Sequence, residues 1–217
     1  MNKSFKLKNL LLIACAAFVF TACSSKDEEE YDKPAIYWYN KMLTQIASGD
    51  LDKADDTYTS LESEHRNTPY VPTAMLILVN AHIDDEEYAL ANFYLDEYIK
   101  RFGVSKDIDY ARYLKIKANF LGFKYQFRDQ QLIEDTLAQI EEFKAKYKNS
   151  PYMPLVDTIN SRMFMAKASM DKEIADLYTR RDKELGTAFY TEKVKKSWVN
   201  PEEIQPAKVP WYRAIFE

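Results

Sequence analysis

The sequence predicts an all-α fold, a repeat solenoid of about four helix pairs. Three observations carry this. Apolar residues recur at i, i+3, i+4 and i+7 between breakers, the signature of amphipathic helices. No segment alternates with a period of two or carries hairpin turns, so strands are not expected. A six-residue motif also recurs at long range. Asn67-Thr68-Pro69-Tyr70-Val71-Pro72 returns 82 residues later as Asn149-Ser150-Pro151-Tyr152-Met153-Pro154.

The chain opens on a segment that reads as a signal rather than as structure. Lys3, Lys6 and Lys8 precede the apolar run Leu10–Phe20, which is too short to span a bilayer of roughly 30 Å as a helix. Thr21-Ala22-Cys23 then resembles a lipobox, with Phe20 where Leu is usual. Residues 1–22 are therefore expected to be a lipoprotein signal peptide and Cys23 the lipidated residue. Residues 23–33, polar and acidic, form a flexible tether. Ser24 rather than Asp after the cysteine favours the outer membrane under the enterobacterial sorting rule, and a triacylated cysteine anchors stably.

Cleavage changes the arithmetic. It removes Cys15 and three lysines, so 34 acids face 27 bases and the net charge moves from −4 to −7. An acidic domain of this kind is a poor nucleic-acid binder. No cofactor is expected beyond the covalent lipid. Two histidines, and no G-x-S-x-G, P-loop, G-x-G-x-x-G or H-E-x-x-H, leave little for catalysis or metal binding. His82 lies on an apolar helix face and reads as a satisfied core histidine. His65 reads as a capping or solvated residue.

The eight prolines and four glycines divide residues 34–198 into helices paired as 34–48 with 50–66, 69–84 with 86–102, 107–122 with 129–147, and 151–181 with 183–197. Ile36, Tyr39, Leu43 and Ile46 stripe the first helix. Leu90, Phe93, Leu95, Tyr98 and Phe102 stripe the fourth, and Leu132, Leu137, Ile140 and Phe143 the sixth. Thr68 and Ser150 read as N-caps followed by proline in the first turn. The third pair carries an insertion around 123–130. Asp84–Glu87 reads as a turn between helices.

Gly49-Asp50-Leu51-x-x-Ala54 is echoed by Glu86-Glu87-Tyr88-x-x-Ala91, 37 residues on, with Tyr58 and Leu95 four residues after each alanine. A small residue where two helices cross, followed by a large one that fills the groove beside it, is tetratricopeptide-like. Such pairs cannot bury their apolar faces alone, so stacking builds a continuous core and a surface lined by the first helix of each pair. Trp38, Tyr58, Phe93, Tyr98, Phe120 and Phe143 are expected in that core. Tyr39, Leu43, Tyr70, Leu76, Tyr110 and Tyr113 are expected along the groove, where they either receive a peptide or pack neighbouring repeats with their hydroxyls in water. Residues 199–217 form a Pro-rich, aromatic, non-helical tail ending in Trp211, Tyr212, Ile215 and Phe216. Arg180, Arg181, Lys193 and Lys195 depart from the acidic average, as a solvated helix face or a dock for an acidic partner.

Taken with the lipobox and the acidic tether, these segments resemble the BamD/ComL family of outer-membrane assembly lipoproteins. Tyr88-Ala89-Leu90-Ala91, Asp96-Glu97-Tyr98-Ile99-Lys100 and Ile108-Asp109-Tyr110-Ala111-Arg112-Tyr113 carry the likeness, with Asn149-Ser150-Pro151-Tyr152 and Ile174-Ala175-Asp176-Leu177-Tyr178-Thr179. It covers about residues 23–197. The resemblance implies a non-enzymatic scaffold of the β-barrel assembly complex, on the periplasmic face of the outer membrane. It implies that the tyrosine groove faces unfolded outer-membrane proteins, while Arg180, Arg181, Lys193 and Lys195 face the barrel-forming assembly protein. Longer members have a fifth helix pair where this chain has its tail. The competing reading is another periplasmic tetratricopeptide lipoprotein adaptor, such as a secretin pilot or a cell-wall or division-linked protein. An enzyme such as a wall hydrolase is disfavoured by the missing motifs.

Overall fold

The computed structural model describes residues 30–123 and 130–204. Among them it is all-helical, with eight α-helices and no strand: α1 (Ala35–Ala47), α2 (Leu51–Glu64), α3 (Tyr70–Asp84), α4 (Tyr88–Arg101), α5 (Ile108–Phe123), α6 (Gln130–Lys146), α7 (Met153–Arg180) and α8 (Glu184–Lys196). The four expected pairs form, each as adjacent packed helices. The signal, Cys23 and residues 124–129 and 205–217 lie outside the described residues. The part of the tail that is described, expected to be non-helical, contains one turn of 3-10 helix at Pro201–Glu203, because Asn200 accepts the Glu202 N–H at 3.1 Å and Pro201 opens the turn. No described helix is long and apolar enough to cross a membrane.

Local chemistry fixes the pairs. Gly49 sits at φ +78°, a left-handed conformation open to glycine, and turns the chain from α1 into α2. Asp50 then accepts the Lys53 N–H and ion-pairs with its ammonium at 2.9 Å. The Trp38 indole donates to Glu64 at 2.8 Å, tying the start of α1 to the end of α2. Ala54 and Ala91 are fully buried at the helix crossings, and Tyr58 and Leu95 fill the space beside them.

The first helices of successive pairs also touch one another, α1 on α3, α3 on α5 and α5 on α7. The core divides in two. One cluster runs from Trp38 and Met42 through Leu78 to Leu114 and Ala118; the other gathers Ile116, Ile133, Ile140, Phe143, Val156 and Met163. Both meet on α5, and Tyr113 packs against each. A ladder of amides crosses the same helix: Asn92 of α4 donates to Asn119 of α5 at 2.9 Å, and Asn119 donates to Gln139 of α6 at 3.2 Å.

Three sequence expectations shift. Phe93 is exposed at 59%, and the buried face of α4 is Ala91, Tyr94, Leu95 and Tyr98. The alanine that must meet α3 sets the rotation of the helix, and one residue's offset turns Phe93 outward. On α1, Trp38 and Met42 take the inner face while Ile36 is exposed, again a rotation set by the largest side chain. Finally, neither Thr68 nor Ser150 occupies the N-cap position of its helix. Thr68 Oγ1 is buried without a partner, and Ser150 makes a different bond, described next.

Candidate functional site

A seam of tyrosines runs along the first helices. Tyr39 of α1 and Tyr70 at the start of α3 have ring centroids 5.2 Å apart. Tyr110 and Tyr113 of α5 are joined by Tyr152, which precedes α7: it stacks on Tyr113 at 5.1 Å with rings 5° from parallel, and lies 5.1 Å from Tyr110. Burial, then the neighbouring Tyr110, raises the hydroxyl pKa of both Tyr113 and Tyr152, with Asp109 and Asp107 adding to Tyr152. The cluster is therefore uncharged at neutral pH, a set of aromatic faces with phenolic edges.

The motif repeat explains this seam. Tyr70 and Tyr152 occupy the same place in the two copies, and each lays its ring on the first helix of the preceding pair. In the second copy the Ser150 hydroxyl donates to Asp109 Oδ2 at 2.7 Å and accepts the Tyr152 N–H at 3.2 Å. Asp109 Oδ1 accepts the Tyr110 N–H at 2.8 Å. One carboxylate thus orients Tyr110 and, through Ser150, Tyr152. The Tyr110 hydroxyl donates to Asn80 of α3 at 3.1 Å, so pairs two and three are bridged as well.

Of the six residues expected along the groove, all are half-buried and pack against the first core cluster. The structure brings Tyr39 to Tyr70 and Tyr110 to Tyr113. Leu43 and Leu76 lie on α1 and α3 as part of the wall behind them. Sequence reasoning missed Tyr152 and Asn80. The repeated Asn-x-Pro-Tyr pointed to Tyr152 as soon as Tyr70 was chosen; nothing in the sequence marked Asn80.

The second group lies at the α7–α8 turn. Arg180, Arg181 and Lys195 are exposed, and Lys193 sits 4.9 Å above the Phe189 ring and 5.2 Å from that of Tyr190. An open cleft of about 610 Å³ is lined by Tyr178, Leu185, Phe189 and Tyr190, with Asp182, Lys183 and Glu184 at its edge. Leu185 is 89% exposed and Phe189 57%, and α8 buries none of its residues. A contiguous apolar surface rimmed by cations is a docking surface more than a solvated face. Gly186 allows it, because a Cβ there would stand 2.7 Å from the Tyr178 ring, which stacks on Tyr190 at 5.7 Å.

The chain matches the family described as outer membrane lipoprotein (YfiO) over residues 31–207. It is 39% identical over 213 residues to the outer membrane protein assembly factor BamD of Helicobacter pylori, covering 97% of each chain. This chain belongs to the BamD family. The BamD proteins of Pasteurella multocida and Haemophilus influenzae are 28% and 24% identical over 84% and 81% of the chain, which spans 74% and 71% of their own lengths. The short C-terminal region is thus shared in length with the Helicobacter protein, whereas the other two BamD proteins are longer. BamD proteins are assembly factors, so the chain is a non-catalytic member of an assembly family, associated with the outer membrane. Among the described residues no group of His, Cys, Asp and Glu is placed to hold a metal.

Proposed function

We propose that this protein is a scaffold lipoprotein of the outer-membrane β-barrel assembly complex. It joins the barrel-forming assembly protein to nascent outer-membrane proteins during folding and insertion. The observation that carries the reading is the 39% identity to BamD of Helicobacter pylori across 97% of both chains. In this reading residues 1–22 are removed, Cys23 carries the lipid, 23–33 tether the repeat domain (34–198) on the periplasmic face, and 199–217 form the tail.

The two surfaces suit the two tasks. The seam of Tyr39, Leu43, Tyr70, Leu76, Tyr110 and Tyr113 offers uncharged aromatic faces with hydroxyl edges, which accept extended, sequence-diverse chains. The cleft beside Arg180, Arg181, Lys193 and Lys195 offers apolar anchors ringed by cations, which suits a folded partner with an acidic rim.

The test is a pull-down of the native lipoprotein from membranes, with mass spectrometry. A large outer-membrane barrel protein with periplasmic domains is the expected partner, and Arg181→Glu with Lys193→Glu reduces its recovery. Recovery of peptidoglycan, division or secretin partners alone overturns the reading in favour of a different adaptor. Cys23→Ala is expected to release the protein from the membrane, and labelled fatty acid persisting on that variant refutes the lipid site.

A further inference from the structure

Between α4 and α6, across α5, lies a cavity of about 120 Å³ that neither task above uses. Ile99, Ile116 and Phe143 give it an apolar floor, and Arg112, Lys115 and Glu142 stand at its rim. Arg112 is two residues from Tyr110, about 200° around the helix at roughly 100° per residue, so the cavity lies on the other side of α5 from the tyrosine seam.

The charges around it do not close. Lys115 is bonded to Asp96. Glu142 accepts from Lys146 at 2.7 Å, a bond that holds its carboxyl below the usual range. Arg112 is left with an Nη1 contact to Glu142 at 3.5 Å, and its Nε is buried without a hydrogen-bond partner. Three cations therefore face two carboxylates, with one donor unused. A buried donor without an acceptor costs about 1–3 kcal/mol until something supplies one.

We propose that this cavity is a docking socket for an acidic segment of a partner protein. One bulky apolar side chain sits on Ile99, Ile116 and Phe143, and a neighbouring carboxylate meets the Arg112 guanidinium. Size and charge both select this occupant. The volume approaches that of a dry cavity of about 150 Å³ that admits benzene, so it takes a single leucine- or phenylalanine-sized group. A carboxylate supplies the missing acceptor and neutralises the excess cation, whereas an uncharged ligand leaves Arg112 Nε unpaired and a basic segment adds a fourth cation.

The test titrates the full chain in detergent micelles, labelled at isoleucine methyls, with acetyl-Asp-Phe-Asp-amide, both of whose ends are blocked. Saturating shifts at the Ile99 and Ile116 methyls are expected. Acetyl-Asp-Ala-Asp-amide is expected to bind about tenfold more weakly, and acetyl-Lys-Phe-Lys-amide not at all. Arg112→Gln weakens the first peptide about tenfold, while Glu142→Gln, which removes a competing carboxylate, tightens it about threefold. A purely structural role for these residues produces no such tightening. Ile99→Phe fills the socket from within and abolishes the shifts, and decides the matter with Glu142→Gln if Arg112→Gln does not fold. No shift at saturation, equal binding of the lysine peptide, or affinity unchanged in Glu142→Gln and Ile99→Phe overturns the proposal.

Discussion

His82 is fully buried at the end of α3, between two carboxylates on neighbouring segments. Its Nε2 lies 3.0 Å from Asp55 of α2 and its Nδ1 2.7 Å from Glu87, the residue that precedes α4. Tyr94 of α4 stacks on the ring at 5.6 Å and donates its hydroxyl to the same Asp55 oxygen at 2.7 Å. Burial alone lowers the imidazolium pKa, but the bonds to Asp55 and Glu87 outweigh it and raise the pKa above its ordinary 6.5. His82→Phe keeps the ring against Tyr94 and removes both bonds. The Asp55 bond is worth about 2 kcal/mol, since Tyr94 still holds that oxygen, and the Glu87 bond under about 1 kcal/mol, because the Glu87 carboxylate is partly exposed. The expected loss is about 3 kcal/mol at pH 5.5, or roughly 6–12 °C in Tm for a chain of this size. The penalty depends on pH with a definite sign. Below 6.5 both folded and unfolded chains hold the proton, and the native protein keeps the full charge-assisted contribution. Above 6.5 the unfolded chain releases it first, so that contribution fades as pH rises through the folded value. Thermal denaturation of both proteins from pH 5.5 to 8.5 is the assay. A difference that stays constant across this range, or grows toward pH 8.5, refutes the assignment of a charged His82.

Three further outcomes are expected. Tyr110→Phe removes the bond to Asn80 while leaving the ring stack, for a loss of about 1 kcal/mol in urea unfolding; Tyr152→Ala, which removes the stack itself, costs about 2–3 kcal/mol. Phe143→Ala opens a cavity in the second core cluster and costs about 3–5 kcal/mol, read as a lower urea midpoint with the slope unchanged. Gly186→Ala drives a methyl into the Tyr178 ring and loosens the α7–α8 turn by about 1–3 kcal/mol, seen as faster amide exchange confined to α8.

Much of the architecture was legible because breakers and repeats are local signals. Gly49, the proline pairs at 69 and 72 and at 151 and 154, and the alanines at 54 and 91 mark turns and crossings without knowledge of any neighbour. Rotation of a helix about its axis was harder to read. Phe93 and Tyr94 are adjacent aromatics, and only the demands of α3 and α5 decide which turns inward. The same holds for Ile36 against Trp38. The candidate surfaces were legible as residue types, Tyr39 with Tyr70 and Lys193 near Phe189, but not as geometry. Tyr152 joins Tyr113 through Ser150 and Asp109, a chain of bonds spanning 41 residues that no local pattern announces. Thr68, in the matching place of the first copy, makes no such bond, so the repeat did not foretell it either.

The division of the core has a consequence for how the molecule carries load. Each apolar cluster is built largely from its own helices, and α5 belongs to both. Tyr113, wedged against the two clusters, acts as a keystone between two blocks rather than as a brick in one wall. A chain drawn across the seam would press on that ring, and the tug would pass to the N-terminal and C-terminal halves together. The protein would then register cargo as a change in stiffness along its whole length, with no hinge required.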